Sequence, residues 1–155
     1  MKNRKYIYII AITTILLDQF SKLIVQRTMN VFQEINVIPN FFSLVFVKNT
    51  GAAFSILEDA TVFLVVLSVV FLVGLNNYMK KGQDTLDKLS ILSLGIMIGG
   101  VFGNLIDRIL YKSVIDFLSF NLFGYDFPIF NMADIGITVG VFLLFLDMWK
   151  RRKEE

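Results

Sequence analysis

Four stretches of the chain, 6–25, 60–78, 89–106 and 130–149, each hold close to twenty mostly apolar residues. A helix of about 20 such residues spans the hydrocarbon core of a bilayer. The hydrophobic content of 55% also exceeds the roughly 45–50% of soluble domains. The reading is a membrane all-α fold of four transmembrane helices, forming a single integral membrane domain over 1–155. No repeat, low-complexity tract or separate soluble domain interrupts it.

Charge sets the expected topology. Most of the fifteen Lys and Arg cluster at Lys2, Arg4 and Lys5, at Lys80, Lys81 and Lys88, and at Lys150, Arg151, Arg152 and Lys153. Basic residues flanking spans stay preferentially in the cytoplasm, so both termini and the 80–88 loop are assigned inside, with 26–59 and 107–129 outside. Each cluster abuts an apolar span, which favours topology over nucleic-acid binding. The basic start followed by 6–17 imitates a secretory signal peptide. No small-residue cleavage site follows, however, and the apolar pattern resumes after Lys22, so cleavage is not expected.

Polar residues inside the spans are the next constraint. Asp18 lies roughly 18 Å along a helix beginning at residue 6, and Lys22, four residues on, shares its face and can pair with it. Ser21 and Lys22 point about 100° apart on a regular helix, which argues against a serine–lysine dyad. In 89–106, Gly95, Gly99 and Gly103 form a flat face for close helix approach, and packing alone explains them. Asn104, Asp107 and Arg108 follow where this helix reaches the outer surface. Arg108 can fork onto a carboxylate or a lipid phosphate, or snorkel. The last span opens with Asn131 and Asp134 on one face and continues with Gly136 and Gly140. Asp147, near its other end, reads as solvated. Span 60–78, without an acid or base, reads as scaffold.

Outside the spans, 41–47 is rich in Phe and Val and bounded by Pro39-Asn40 and Asn49-Thr50-Gly51, which predicts a strand entering a turn. Gly51-Ala52-Ala53-Phe54 lets backbone pass close to a neighbour. A small extracytoplasmic β-sheet, dipping Phe41, Phe42 and Phe46 into the outer leaflet, suits this segment.

With neither Cys nor His, the chain has no disulfide, thiolate metal site, cysteine nucleophile or histidine base. Chemistry falls to Asp107, Asp116 and Asp134, all near the outer face, since an ionisable residue at membrane depth marks a functional site. Two carboxylates brought close cannot both ionise easily, so one keeps its proton. Such a pair can activate water on a carbonyl, ligate Mg²⁺ or Mn²⁺ as in a phosphohydrolase, or relay protons in a transporter. Residue chemistry alone leaves these open.

The motifs narrow the choice. Asp18-x-x-Ser21-Lys22, Asn49-x-Gly51-Ala52-Ala53-Phe54, Gly99-Gly100-x-x-Gly103-Asn104-x-x-Asp107-Arg108, Val114-x-Asp116-Phe117 and Phe130-Asn131-x-Ala133-Asp134 together resemble the bacterial lipoprotein signal peptidase, or signal peptidase II, family. The match runs in order through most of the chain; 118–129 and both tails match nothing. The resemblance implies an aspartic endopeptidase of the bacterial cytoplasmic membrane. It would remove the signal peptide from a diacylglyceryl-modified prolipoprotein, cutting just before the lipidated Cys. It implies Asp116 and Asp134 as the catalytic dyad, with Asn49, Gly103, Asn104, Arg108 and Asn131 lining the site or holding substrate. Asp18, Lys22 and Asp107 would be supporting polar groups. The expected partners are the lipidated precursor and the phospholipid bilayer, with no nucleic acid, no metal and no cofactor, in a monomer. The competing reading is a small proton-coupled transporter or accessory subunit with Asp18, Lys22 and Asp134 as relay.

Overall fold

The computed structural model describes residues 4–51, 60–81 and 86–154. The expectations for Lys2 and for Ala52, Ala53 and Phe54 lie outside these residues. Four helices, α1 (Arg4–Thr28), α2 (Thr61–Lys81), α3 (Lys88–Tyr111) and α4 (Met132–Glu154), carry the four apolar stretches. Each is long and apolar enough to cross a membrane. All four run on past the ends of the stretches read from hydropathy, because a helix continues into its polar flanks, while α2 and α4 begin one and two residues inside them.

Helix α3 is the central one. Its most apolar window is 67% buried, against 22% for α1 and α4 and 17% for α2. Glycine explains how two helices reach it at once. Gly95 lies against Ile7 and Ile10, Gly99 against Ala11 and Thr14, and Gly103 against Asp18, so one row of α3 receives α1. Gly100 faces Ala133 and Ile137 of α4, and Gly140 of α4 faces Ser93 and Met97 in return. A Cβ at Gly99 would stand 2.6 Å from the Ala11 carbonyl oxygen, so the close approach requires glycine. The pairings also fix directions: α1 runs parallel to α3, and α4 antiparallel. Helix α2 joins at the end where α3 begins, through Leu75 and Met79, which pack with Leu86, Leu94 and Met97. There Asp87 caps α3, its carboxylate accepting from the Ser90 amide at 2.8 Å.

One expectation fails at this end. Asp147 is fully buried, accepting from Ser90 Oγ at 2.7 Å and from Arg151 Nε at 3.1 Å. It faces α3 and is not solvated; Ser90 and Arg151 offset the cost of burying it.

At the other end stands a four-stranded antiparallel sheet in the order β1 (Glu34–Ile38), β2 (Phe42–Asn49), β3 (Val114–Leu122), β4 (Tyr125–Asp126). The expected strand at 41–47 is β2. Half of the sheet, β3 and β4, comes from the segment after α3, where the sequence showed only a short motif. Lys112, in the left-handed region at φ 56°, ends α3 and turns the chain into β3. Phe46 of β2 and Ile115 and Phe117 of β3 pack on Val25 and Met29 at the end of α1. Phe120 stacks between Phe42 and Phe130, at ring distances of 4.7 and 5.8 Å. That stack leads the sheet towards the start of α4.

Candidate active site

Two backbone features bring the acids of β3 and α4 together. Leu118 and Phe130 form an antiparallel bridge: the Leu118 amide donates to Phe130 O at 2.8 Å, and the Phe130 amide to Leu118 O at 3.1 Å. The chain then turns directly into α4, so Asn131 emerges beside Asp116. Asn131 caps the new helix. Its Oδ1 accepts from the Asp134 amide at 3.0 Å, while its own amide donates to Asp134 Oδ2 at 3.1 Å. This is the reciprocal capping box, with an Asp in the third helical position. A signal that starts a helix therefore also aims a carboxylate.

Asp116 is 3% exposed. Asn131 Nδ2 donates to its Oδ1 at 2.6 Å, and Asn49 Nδ2, from the end of β2, to its Oδ2 at 2.9 Å. Asn49 is itself oriented by the Gly51 amide, which donates to its Oδ1 at 2.9 Å. Burial pushes Asp116 up to about 6, with the neighbouring Asp134 carboxylate adding to the effect; the amides of Asn49 and Asn131 and the charge of Lys22 oppose it. Asp134 Oδ1 accepts from Asn104 Nδ2 of α3 at 2.7 Å. The two acids thus share Asn131 and receive one further amide each.

Behind them lies a buried ionic knot. Lys22, 1% exposed, sits 2.9 Å from both Asp18 Oδ2 and Asp107 Oδ2 and donates to Asn104 Oδ1 at 2.9 Å. Asp18 accepts from the Ala133 amide at 2.9 Å, tying α1 to the start of α4. Asp107 accepts from the Ile115 amide at 3.2 Å, tying α3 to β3. The Asp18–Lys22 pair expected from spacing is present, and the knot holds both acid-bearing segments. Ser21 turns away, its hydroxyl donating to Asp18 O. Arg108 donates to backbone carbonyls, Gly51 O at 3.2 Å and Asn104 O at 3.5 Å; its Nε is buried without a partner.

Asp116 and Asp134 open on a cavity of roughly 560 Å³ that is lined mainly by apolar side chains of α3, α4 and the 127–130 segment. Asn49, Asn104 and Arg108 line it too. Gly103, Asn131, Asp18, Lys22 and Asp107 stand behind the wall. Sequence reasoning missed Gln19, whose amide reaches Asp107 Oδ1 at 2.9 Å and Gly103 O at 3.2 Å. Its signal was a third polar residue beside Asp18 in an apolar stretch. It also missed Ser68 and Thr138, which line the cavity; single hydroxyls in apolar helices carry no signal of their own.

Comparison with known proteins gives a consistent picture. The profile of the signal peptidase (SPase) II family matches residues 10–150. A lipoprotein signal peptidase of Maridesulfovibrio salexigens is 41% identical over 149 residues, covering 93% of this chain and 95% of that protein. Another, of Anoxybacillus flavithermus, is 38% identical, covering 95% and 87%. A solved bacterial membrane enzyme superposes with a TM-score of 0.86 at 34% identity, covering 95% of this chain and 89% of its own. A second superposes at 0.80 with 35% identity, covering 90% of each.

Proposed function

Because the chain belongs to the signal peptidase II family, we propose that it removes signal peptides from lipoprotein precursors by an aspartic mechanism carried by Asp116 and Asp134. The carrying observation is their joint orientation by Asn131 on the wall of one cavity. The substrate is the diacylglyceryl-modified precursor, cut before its lipidated Cys, and the apolar signal helix occupies the cavity between the spans. Remote contacts there position the peptide bond at the acids.

One acid, ionised, takes a proton from a water as its oxygen bonds to the scissile carbonyl carbon, while the other gives its proton to the carbonyl oxygen. The resulting diol collapses: the first acid gives the proton it took to the amide nitrogen, one diol hydroxyl returns a proton to the second acid as the C=O bond re-forms, and the C–N bond breaks. Asn49, Asn104 and Asn131 hold the carboxylates. Gly103 leaves room for the Asp18 carboxylate. The unpartnered Arg108 Nε is a donor for a carbonyl or phosphate oxygen of the bound precursor.

Amide donors aimed at the carboxylates compete with a cation for the same oxygens, which disfavours the phosphohydrolase reading. A proton relay through Lys22 is disfavoured because three acceptors already hold its ammonium. On this reading the protein works in the bacterial cytoplasmic membrane as a monomer, with its termini inside and its site near the outer face; the basic clusters beside the spans support that orientation.

In the test, purified protein in detergent is given a diacylglyceryl-modified precursor peptide and its unmodified twin. Only the lipidated peptide is expected to be cut, with Asp116→Asn and Asp134→Asn each slower by about 10³-fold or more while still inserting. A chelator should leave the rate unchanged. Near wild-type cleavage by either variant ends the dyad assignment.

A further inference from the structure

Resting on the dyad reading above, we propose that Lys22 is a positioning residue for the reaction: it fixes the Asn104 amide so that its nitrogen donates to Asp134, which then enters as the base. A structural ion pair does not explain where the third hydrogen of the ammonium goes. Asp18 and Asp107, both at 2.9 Å, already outweigh its charge and join α1 to α3. The remaining donor is spent on the side-chain oxygen of Asn104, a residue of the cavity wall.

The direction of that bond follows from donor chemistry. An ammonium has three donors and no acceptor, so the Asn104 end facing Lys22 must be oxygen, and its NH₂ faces Asp134 Oδ1 at 2.7 Å. Asn131 Nδ2 donates to the same Asn104 oxygen at 3.1 Å. Asn131 has no freedom to turn over either, because its own oxygen accepts from the Asp134 backbone amide. Both oxygens of Asp134 accept, Oδ1 from Asn104 and Oδ2 from the Asn131 amide, and so do both of Asp116. Of two such neighbours one keeps its proton, and Asp116, 3% exposed beside a half-buried Asp134, is assigned it, which leaves Asp134 as the carboxylate.

The chemistry then has a direction. The O–H bond of water breaks, its proton passes to Asp134, and its electron pair forms the bond to the scissile carbon. The π pair of the carbonyl moves onto oxygen and takes the proton of Asp116, leaving a neutral diol. Without Lys22 a single donor, Asn131 Nδ2, is left on the Asn104 oxygen; the amide then spends a larger share of time turned over, and in that orientation Asp134 meets an oxygen, needs a proton and is lost as a base.

Lys22→Met alone strands two buried carboxylates, so the deciding variant is Lys22→Met/Asp18→Asn, which removes one charge of each sign. Steady-state cleavage of the lipidated peptide and thermal unfolding are compared with wild type and with Asp18→Asn alone. The double variant is expected to lose about tenfold to hundredfold in kcat, the range for a hydrogen bond to a charged group. KM should stay within about twofold and the melting temperature close to that of Asp18→Asn, since the interaction acts on the transition state. Asn104→Asp, which keeps the acceptor for Lys22 but offers Asp134 no donor, should lose at least as much. Wild-type kcat in either variant overturns the proposal while leaving the dyad standing, provided Asp134→Asn remains inactive. A loss of kcat, KM and melting temperature together overturns it in favour of a purely structural knot. If wild type itself fails to cut, it is the reading of the function that falls.

Discussion

Burial within β3 sets the ionisation of Asp116, and two measurements follow from its sign. With its carboxyl pushed up to about 6, chiefly by desolvation and then by Asp134, Asp116 holds its proton through the acidic range and loses it as pH rises through about 6. As the proposed acid of the reaction it must be protonated, so kcat/KM, which reports the free enzyme, should fall on that alkaline side. Asn49→Ala removes a donor to the ionised form and should move the fall to higher pH; a limb that stays in place would separate Asn49 from Asp116. The same displacement acts on stability. The folded value lies above the ordinary 3.8, so the contribution of Asp116 is complete below about 3.8 and is lost as pH rises through about 6. Asp116→Asn cannot ionise, and its melting temperature should gain on wild type across that window. A gap between the two that is constant with pH would remove burial as the cause. The cost of burying the acid is thus the property its chemistry needs.

Between elements, small residues decide what can meet. A Cβ at Gly99 would lie 2.5 Å from Thr14 Cβ and 2.6 Å from Ala11 O, whereas one at Gly74 of α2 meets nothing within 4 Å. Gly99→Ala should therefore cost about 1–3 kcal/mol by overpacking, and Gly74→Ala should be neutral or gain up to about 1 kcal/mol. Reversible unfolding in mixed micelles reads both, and equal effects would show that α1 and α3 are not locked by this stripe. Gly103→Ala drives its methyl group into the Asp18 carboxylate and should depress activity as well. This stripe was legible because four-residue spacing in a helix is a local property, and so were the four helices themselves. Half of the sheet was not. Val114, Ile115, Asp116 and Phe117 are all buried, so the alternation that marks a half-buried strand is missing. Strand β1 does alternate over Glu34-Ile35-Asn36-Val37, but it is five residues long with every one exposed, too short and too open a run to stand out from a loop. The burial of Asp147 was hidden for another reason. Its partner Ser90 is 57 positions away, and the basic run just after it reads as a solvated tail. Family motifs located Asp116 and Asp134 individually; the Leu118–Phe130 bridge that joins them is a backbone event, invisible in side-chain pattern.

Across the whole molecule the parts sort to two ends. Since α1 and α3 run parallel and α4 antiparallel, the beginning of α1 and the end of α4 lie together where α3 starts, and the sheet and both acids lie at the opposite end. That polarity makes a topology test possible on a chain with no native Cys. Phe123, fully exposed at the turn between β3 and β4, and Lys153, exposed near the end of α4, are single sites at the two extremes. In intact cells Phe123→Cys should react with a membrane-impermeant maleimide, and Lys153→Cys only after permeabilisation. On the proposed topology the flanking Lys and Arg hold the basic end inside. The reverse pattern would place the acids on the cytoplasmic side and remove the reason for a site at this depth. A precursor anchored by its acyl chains cannot leave its leaflet, so its scissile bond is confined to a thin layer below the headgroups. The first turn of α4 and the strand that leaves α3 are where a helical membrane protein can place two acids in that layer and still let water reach them.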